Sequence, residues 1–340
     1  MRIGLGLGWL GEPIDELLAV VEKADQLGID SVWSLEEYGP DAVTVLGYLA
    51  ARTERIKLGT GIMQIPARTP AMTAMTALSL DALSCGRFQL GLGLSVPWLV
   101  EGWHGVPFGK PLQRSREYVE ILRAALARKQ IKHSGEHYQV PFRGPGSSGS
   151  AKPMHTLITP IREHIPIYLA AIGPRHVALT GEIADGWMPG LYAPEHEAVL
   201  TAPLDAGLRK AGRTSDDVDI VLIVQVARRD TVEEARDFLR PLFAAYLGPK
   251  GPPTGNPYYD VACQMGYEAA ARVVREHYLA SRRAQAVAAV PDAFIDEVAL
   301  VGPLEAIIDR IAVWRESRVG TLVPVTQDLE LLTAAMEVAG

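Results

Sequence analysis

The chain has 340 residues, 48% of them hydrophobic and 21% charged, which supplies a large core and excludes extensive disorder. Lys plus Arg number 33 against 40 Asp plus Glu, a net charge of −7 that argues against nucleic acid as a partner, since a phosphate backbone selects a basic surplus. No apolar run approaches the roughly 20 residues that cross a bilayer, and Met1-Arg2-Ile3 leads into a glycine-rich strand rather than a secretion signal, so no membrane partner and a cytoplasmic location are expected.

A β-then-α alternation begins at once. Residues 2–8 read as extended, and 13–27 carry Ile14, Leu17, Leu18, Val21 and Ala24 at helical spacing before Gly28 stops them. The unit recurs as strand 31–35 with helix 41–52, strand 56–63 with helix 69–83, and strand 87–93 with a helix centred on 114–126. From 130 to 165 the rhythm lapses into an excursion that reads as a lid, with a hairpin around Ser134-Gly135 and a Gly/Ser-rich stretch at 144–150. Alternation resumes with strand 167–171, helix 174–183, strand 186–189, helix 194–211, strand 219–226 and helix 231–247. A second excursion opens at Gly248-Pro249-Lys250-Gly251-Pro252-Pro253, contains a helix at 267–280 and runs to about residue 301; helix 303–317, strand 321–325 and helix 328–338 follow.

Roughly 150 residues per domain would suggest two domains, but α/β barrels commonly exceed that prior. Eight apolar strands, each followed by a helix, predict an α/β fold: one closed (β/α)₈ barrel over residues 1–340, with excursions at 130–165 after strand four and 248–301 after strand seven. Chemistry in such a barrel belongs at the C-terminal ends of the strands.

Several strand ends carry candidates. Gly6-Leu7-Gly8-Trp9-Leu10-Gly11 satisfies the dinucleotide pattern G-x-G-x-x-G, but its third glycine precedes Pro13 instead of packing inside a helix, so a glycine loop over a barrel mouth fits better. Glu36 and Glu37 follow strand two, where alternation sends one carboxylate inward and the other out. One can serve as a general acid, or both can cap the next helix near Asp41. Strand three ends in Gly59-Thr60-Gly61-Ile62-Met63-Gln64 and strand four in Gly91-Leu92-Gly93-Leu94-Ser95, where backbone could approach a ligand. Strand five runs through Ala170-Ala171-Ile172-Gly173 into a helix whose N-terminal amides favour an anion, with Arg175 either its counter-charge or a solvated side chain. His104 is either a proton carrier or a packed loop residue. Cys85 and Cys263 lack metal-ligand spacing and read as buried thiols, and no histidine–acid cluster suggests a metal.

Together, 58–63, Gly91 to Ser95 with Glu101-Gly102-Trp103-His104-Gly105, and Ala170 to Pro174 with Thr180-Gly181-Glu182-Ile183-Ala184-Asp185-Gly186-Trp187 resemble the luciferase-like monooxygenase superfamily, and more narrowly its coenzyme F420-dependent oxidoreductases. The resemblance spans nearly the whole chain and is weakest in the two excursions. It implies a barrel holding a deazaflavin or flavin at its mouth, against a non-proline cis peptide at Gly61-Ile62 beside Met63. It also implies phosphate-contacting amides at Gly93, Leu94 and Ser95 and along Ala170, Ala171, Ile172 and Gly173. In the family's sugar-phosphate dehydrogenases an acid–base pair comes from a histidine after strand two and a glutamate after strand four. The matching positions here are Glu37 and Val96, which puts a sugar-phosphate substrate in doubt.

The function this implies is hydride transfer between C5 of F420 and an organic, small-molecule or peptide-like substrate, reducing an electron-poor C=C or C=N bond, with Glu36, Glu37 or His104 handling the proton. An FMN-dependent monooxygenase and a non-catalytic flavin or deazaflavin carrier are the alternatives. Helices on the outside of a barrel often pair, which makes a homodimer possible.

Overall fold

The computed structural model describes residues 1–8, 11, 13–248 and 255–340. Trp9, Leu10 and Glu12 of the glycine loop, and Pro249-Lys250-Gly251-Pro252-Pro253 of the second excursion, lie outside the described residues.

Among the described residues, eight parallel strands form the ring of a ten-stranded sheet: β1 (Arg2–Leu7), β2 (Ser31–Ser34), β3 (Lys57–Thr60), β4 (Phe88–Gly93), β5 (Ile167–Ala170), β6 (Gly186–Met188), β7 (Asp219–Arg228) and β8 (Thr321–Val325). Each pairs with the next, β6 reaching β7 through Asp219 opposite Gly186, and β8 returns to β1 with Leu322 opposite Ile3. The ring is therefore closed. A dinucleotide fold needs an open sheet, so the closed ring excludes the dinucleotide alternative for G-x-G-x-x-G.

Helices cover the outside, and their boundaries follow local chemistry. Ile14–Leu27 buries the predicted Leu17, Leu18, Val21 and Ala24 and ends at Gly28, whose φ of 86° suits glycine. Asp41 caps Ala42–Ala50 by accepting from the Thr44 amide at 2.8 Å, Thr69 caps Pro70–Leu83, and Thr231 with Glu234 forms a capping box on Val232–Leu247.

Inside the ring, Trp33, Tyr168, Met188, Val221 and Val323 form a buried cluster, with Trp33 and Tyr168 edge to face at 5.4 Å. Gly59 and Gly91 serve this packing. A Cβ at Gly59 would lie 2.3 Å from the Trp33 ring, and one at Gly91 would lie 1.9 Å from the Thr60 carbonyl oxygen. The N-terminal end of the ring is sealed by polar side chains: Arg2 pairs with Asp219 at 2.5 Å, and Gln89 donates to the Tyr168 hydroxyl at 3.2 Å. The opposite end is the mouth.

The first excursion carries the hairpin His133–Ser134 with Gln139–Val140. The second is more ordered than its sequence suggests. It contains helices Pro257–Gln264, Glu268–Leu279, Arg283–Ala288 and Asp292–Val298, and strand Ala299–Gly302, which extends the sheet along Gln225–Arg228 of β7. Cys85 departs from the expected burial: it is exposed in the turn after Pro70–Leu83, at φ 54°, and Cys263 is half-buried. Among the described residues no helix is long and apolar enough to cross a membrane.

Candidate active site

The two glutamates after β2 take different tasks. Glu36 accepts both guanidinium arms of Arg68, at 2.6 and 2.9 Å, and also the amides of Ala42 (3.3 Å) and Gln64 (3.2 Å). Its oxygens are committed to holding the start of helix Ala42–Ala50 and the end of the β3 segment, which is the capping role. Arg68 also binds Asp41 at 2.5 Å. Glu37 is exposed, and its carbonyl oxygen accepts from Gln64 Nε2 at 2.5 Å. Its carboxylate acts on two stacked phenols, Tyr246 and Tyr258, whose rings lie 4.8 Å apart. Burial first, and then the Glu37 charge, pushes the Tyr246 hydroxyl up to about 12; burial, then Tyr246 and then Glu37 raise that of Tyr258.

After β3 the backbone turns through a cis peptide at Gly61-Ile62, at the position the family resemblance implies, and Met63–Gln64 then pairs with Leu92 and Gly93 of β4. Ile62, Ala170 and Ile223 pack on the barrel cluster while remaining partly exposed, which makes an apolar floor at the mouth. Gly93 leaves room for this arrangement: a Cβ there would lie 2.6 Å from Ile62 Cδ1 and 3.5 Å from Ala170 Cβ. A Cβ on Gly61 would lie 2.7 Å from Ile223 Cδ1. Met63, Leu94 and Ala171 are buried as whole residues. Ser95 is half-buried with φ 61°, a left-handed conformation few side chains adopt.

At the end of β5, Gly173 precedes helix Pro174–Ile183 with no side-chain cap and nothing within 4 Å of where a Cβ would stand. Ile172 and Gly173 are half-buried and Arg175 is exposed. His176, in the first turn, lies 3.3 Å from Ser115 Oγ, and burial pushes its imidazole down to about 4, so it is neutral at pH 7.

His104 sits half-buried on the loop after Pro97–Gly102, and its Nε2 lies 3.1 Å from Gln64 Oε1. Gln64 thus bonds to all three predicted catalytic residues: the Glu36 carboxylate, the Glu37 carbonyl and the His104 ring. The structure brings Gly61, Ile62, Gly93 and Ala170 together at the floor, and Ile172 and Gly173 follow Ala170 at the end of β5. Sequence reasoning missed Gln64, Arg68 and His176. A polar residue closing an apolar strand end was the available signal for Gln64.

The amino-acid pattern of luciferase-like monooxygenases matches residues 2–321. The chain belongs to the luciferase-like monooxygenase family. Within it, the chain is 38% identical over 327 residues, covering 95% of itself and 94% of the relative, to a Mycobacterium tuberculosis protein provisionally named a coenzyme F420-dependent oxidoreductase. It is 30% identical to the 5,10-methylenetetrahydromethanopterin reductase of Archaeoglobus fulgidus, over 87% of this chain and 85% of that one. The luciferase-like barrel also superposes on the coenzyme F420-dependent tetrahydromethanopterin reductase of Methanopyrus kandleri, with a TM-score of 0.79, 21% identity and coverage of 99% and 97%, a likeness of fold.

Proposed function

We propose that this chain is a coenzyme F420-dependent oxidoreductase that reduces an electron-poor C=C or C=N bond of a small organic substrate. The observation that carries this reading is the partly exposed floor of Ile62, Ala170 and Ile223 over a closed barrel, beside the open backbone of Gly173. A flat ring system fits such a floor, and an anion fits the positive end of the helix that begins at Pro174. The names of the relatives in M. tuberculosis and A. fulgidus support the same cofactor and direction.

When bound, the deazaflavin supplies hydride chemistry at C5. The chain supplies the rest. Ile62, Ala170 and Ile223 would bear on one ring face and keep water from it. The backbones of Gly93, Leu94 and Ser95, and of Ala171, Ile172 and Gly173, would receive the phosphorylated tail. His176, neutral at pH 7, adds no charge there. His104 carries the proton, and Glu37, on the other side of the Gln64 amide, bears on Tyr246 and Tyr258. Glu36 is bound to Arg68 and is not assigned a proton.

The test titrates F420 and FMN separately into the protein while following fluorescence, then follows oxidation of reduced F420 with substrate present. F420 is expected to bind, and His104→Gln to lower turnover by about 100-fold with F420 affinity intact. Affinity for FMN together with none for F420 would overturn the reading.

A further inference from the structure

We propose that Gln64 is a positioning residue that holds His104 as the Nε2–H tautomer, so that the proton exchanged with substrate is the one on Nδ1. The inference rests on the reading of His104 as proton carrier and adds which nitrogen acts and what selects it.

Gln64 is 2% exposed and is fixed from two sides. Its backbone amide donates to Glu36 Oε1 at 3.2 Å, and Glu36 is itself clamped by both arms of Arg68. Its side-chain Nε2 donates to the Glu37 carbonyl oxygen at 2.5 Å. A carbonyl oxygen can only accept. Turning the amide over would therefore set two acceptor oxygens against each other at hydrogen-bond distance. The amide oxygen must face His104, and that oxygen also can only accept. His104 Nε2, 3.1 Å away, accordingly carries hydrogen in the neutral ring and in the imidazolium alike. The proton that can be exchanged is left to Nδ1.

The proton balance follows. Reduction adds a hydride, from the reduced deazaflavin, and a proton to the substrate double bond. The His104 imidazolium gives up its Nδ1 proton, becomes the neutral Nε2–H ring without rearranging its bond to Gln64, and regains a proton from solvent. A ring of the opposite tautomer would turn its lone pair toward an acceptor and break that bond at each cycle. The chain Arg68, Glu36, Gln64, His104 thus transmits position from the turn before helix Pro70–Leu83 to the rim.

The test reads the tautomer directly, in the cofactor-free protein, from long-range ¹⁵N–¹H spectra of protein labelled at its 8 histidines, with His104→Gln assigning the signal. Wild type is expected to show a single Nε2–H tautomer at neutral pH. Gln64→Met, which keeps the length and removes the acceptor, should show the averaged mixture of a free imidazole. In the loaded enzyme Gln64→Met should lower kcat about tenfold at unchanged substrate KM. An Nδ1–H or mixed tautomer in wild type, or a Gln64→Met signal identical to it, overturns the proposal. The wild-type spectrum decides alone if the variant fails to fold. Failure of F420 to bind would sink the functional reading and leave the tautomer result standing.

Discussion

Arg68 decides what Glu36 can do. Both side chains are largely shielded, 19% exposed for the arginine and 9% for the glutamate, and their pairing is bidentate. Removing one charge of a shielded pair costs more than the pair contributes, because the remaining charge keeps its desolvation without compensation. Glu36→Gln should therefore lower the urea-unfolding free energy by about 3 kcal/mol. A loss below about 0.5 kcal/mol would mean that Arg68 finds Asp41 alone sufficient. Alternation along β2 showed that Glu36 and Glu37 must part. It could not show which one is committed, because the deciding arginine lies 32 residues further on. Gln64 was legible only as a polar residue closing an apolar strand end; its role exists through three partners drawn from separate segments.

At the scale of elements, the hairpin at 133–140 is held by one residue of the helix Pro111–Leu126. Glu117 is 1% exposed and accepts from the amides of Glu136 (2.9 Å), His137 (2.9 Å) and Tyr138 (3.0 Å) and from Gln113 Nε2 (2.9 Å). Burial alone would raise its carboxyl, but these four donors outweigh it and hold the group down at about 2. A carboxylate depressed in the folded state stabilises fully above its unfolded value, near 4.5, and loses that contribution as pH falls toward 2. Glu117→Gln should cost about 3 kcal/mol at pH 7, and the gap from wild type should shrink steadily between pH 4.5 and 2. A gap independent of pH would show that the charge is not what pins the hairpin. The hairpin was legible from Ser134-Gly135, whereas its anchor was not, since Glu117 sits on a helix where a glutamate is ordinary. Strand Ala299–Gly302 escaped for a different reason. A four-residue apolar run following a helix has no period of its own, and its pairing with β7 is set by tertiary contact.

For the whole molecule, the count of eight strands was readable because each strand is short, apolar and followed by a helix of opposite period, and only a ring covers every strand edge. Closure joins the two ends of the chain. Arg2, Ile3 and Gly6 pair with Thr321, Leu322 and Val325, and the amino group of Met1 donates to the Ala339 carbonyl at 3.2 Å. The mouth is built from strand ends, and the sheet does not depend on where the chain is cut, provided the cut avoids a strand. Joining Gly340 to Met1 through about four Gly/Ser residues, at roughly 3.5 Å per residue, should therefore be tolerated with new ends between Ser148 and Gly149, both exposed in the first excursion. The permuted chain is expected to unfold in one cooperative transition, with a midpoint within about 5 °C of the parent by near-UV circular dichroism. Deleting residues 321–340 instead removes β8, leaves β1 and β7 without a shared neighbour and uncovers the Trp33–Tyr168 cluster. That chain should bind an apolar dye and lose its near-UV signal. A permuted chain that behaved like the truncated one would show that the link between the ends, rather than the ring of strands, is what the fold depends on.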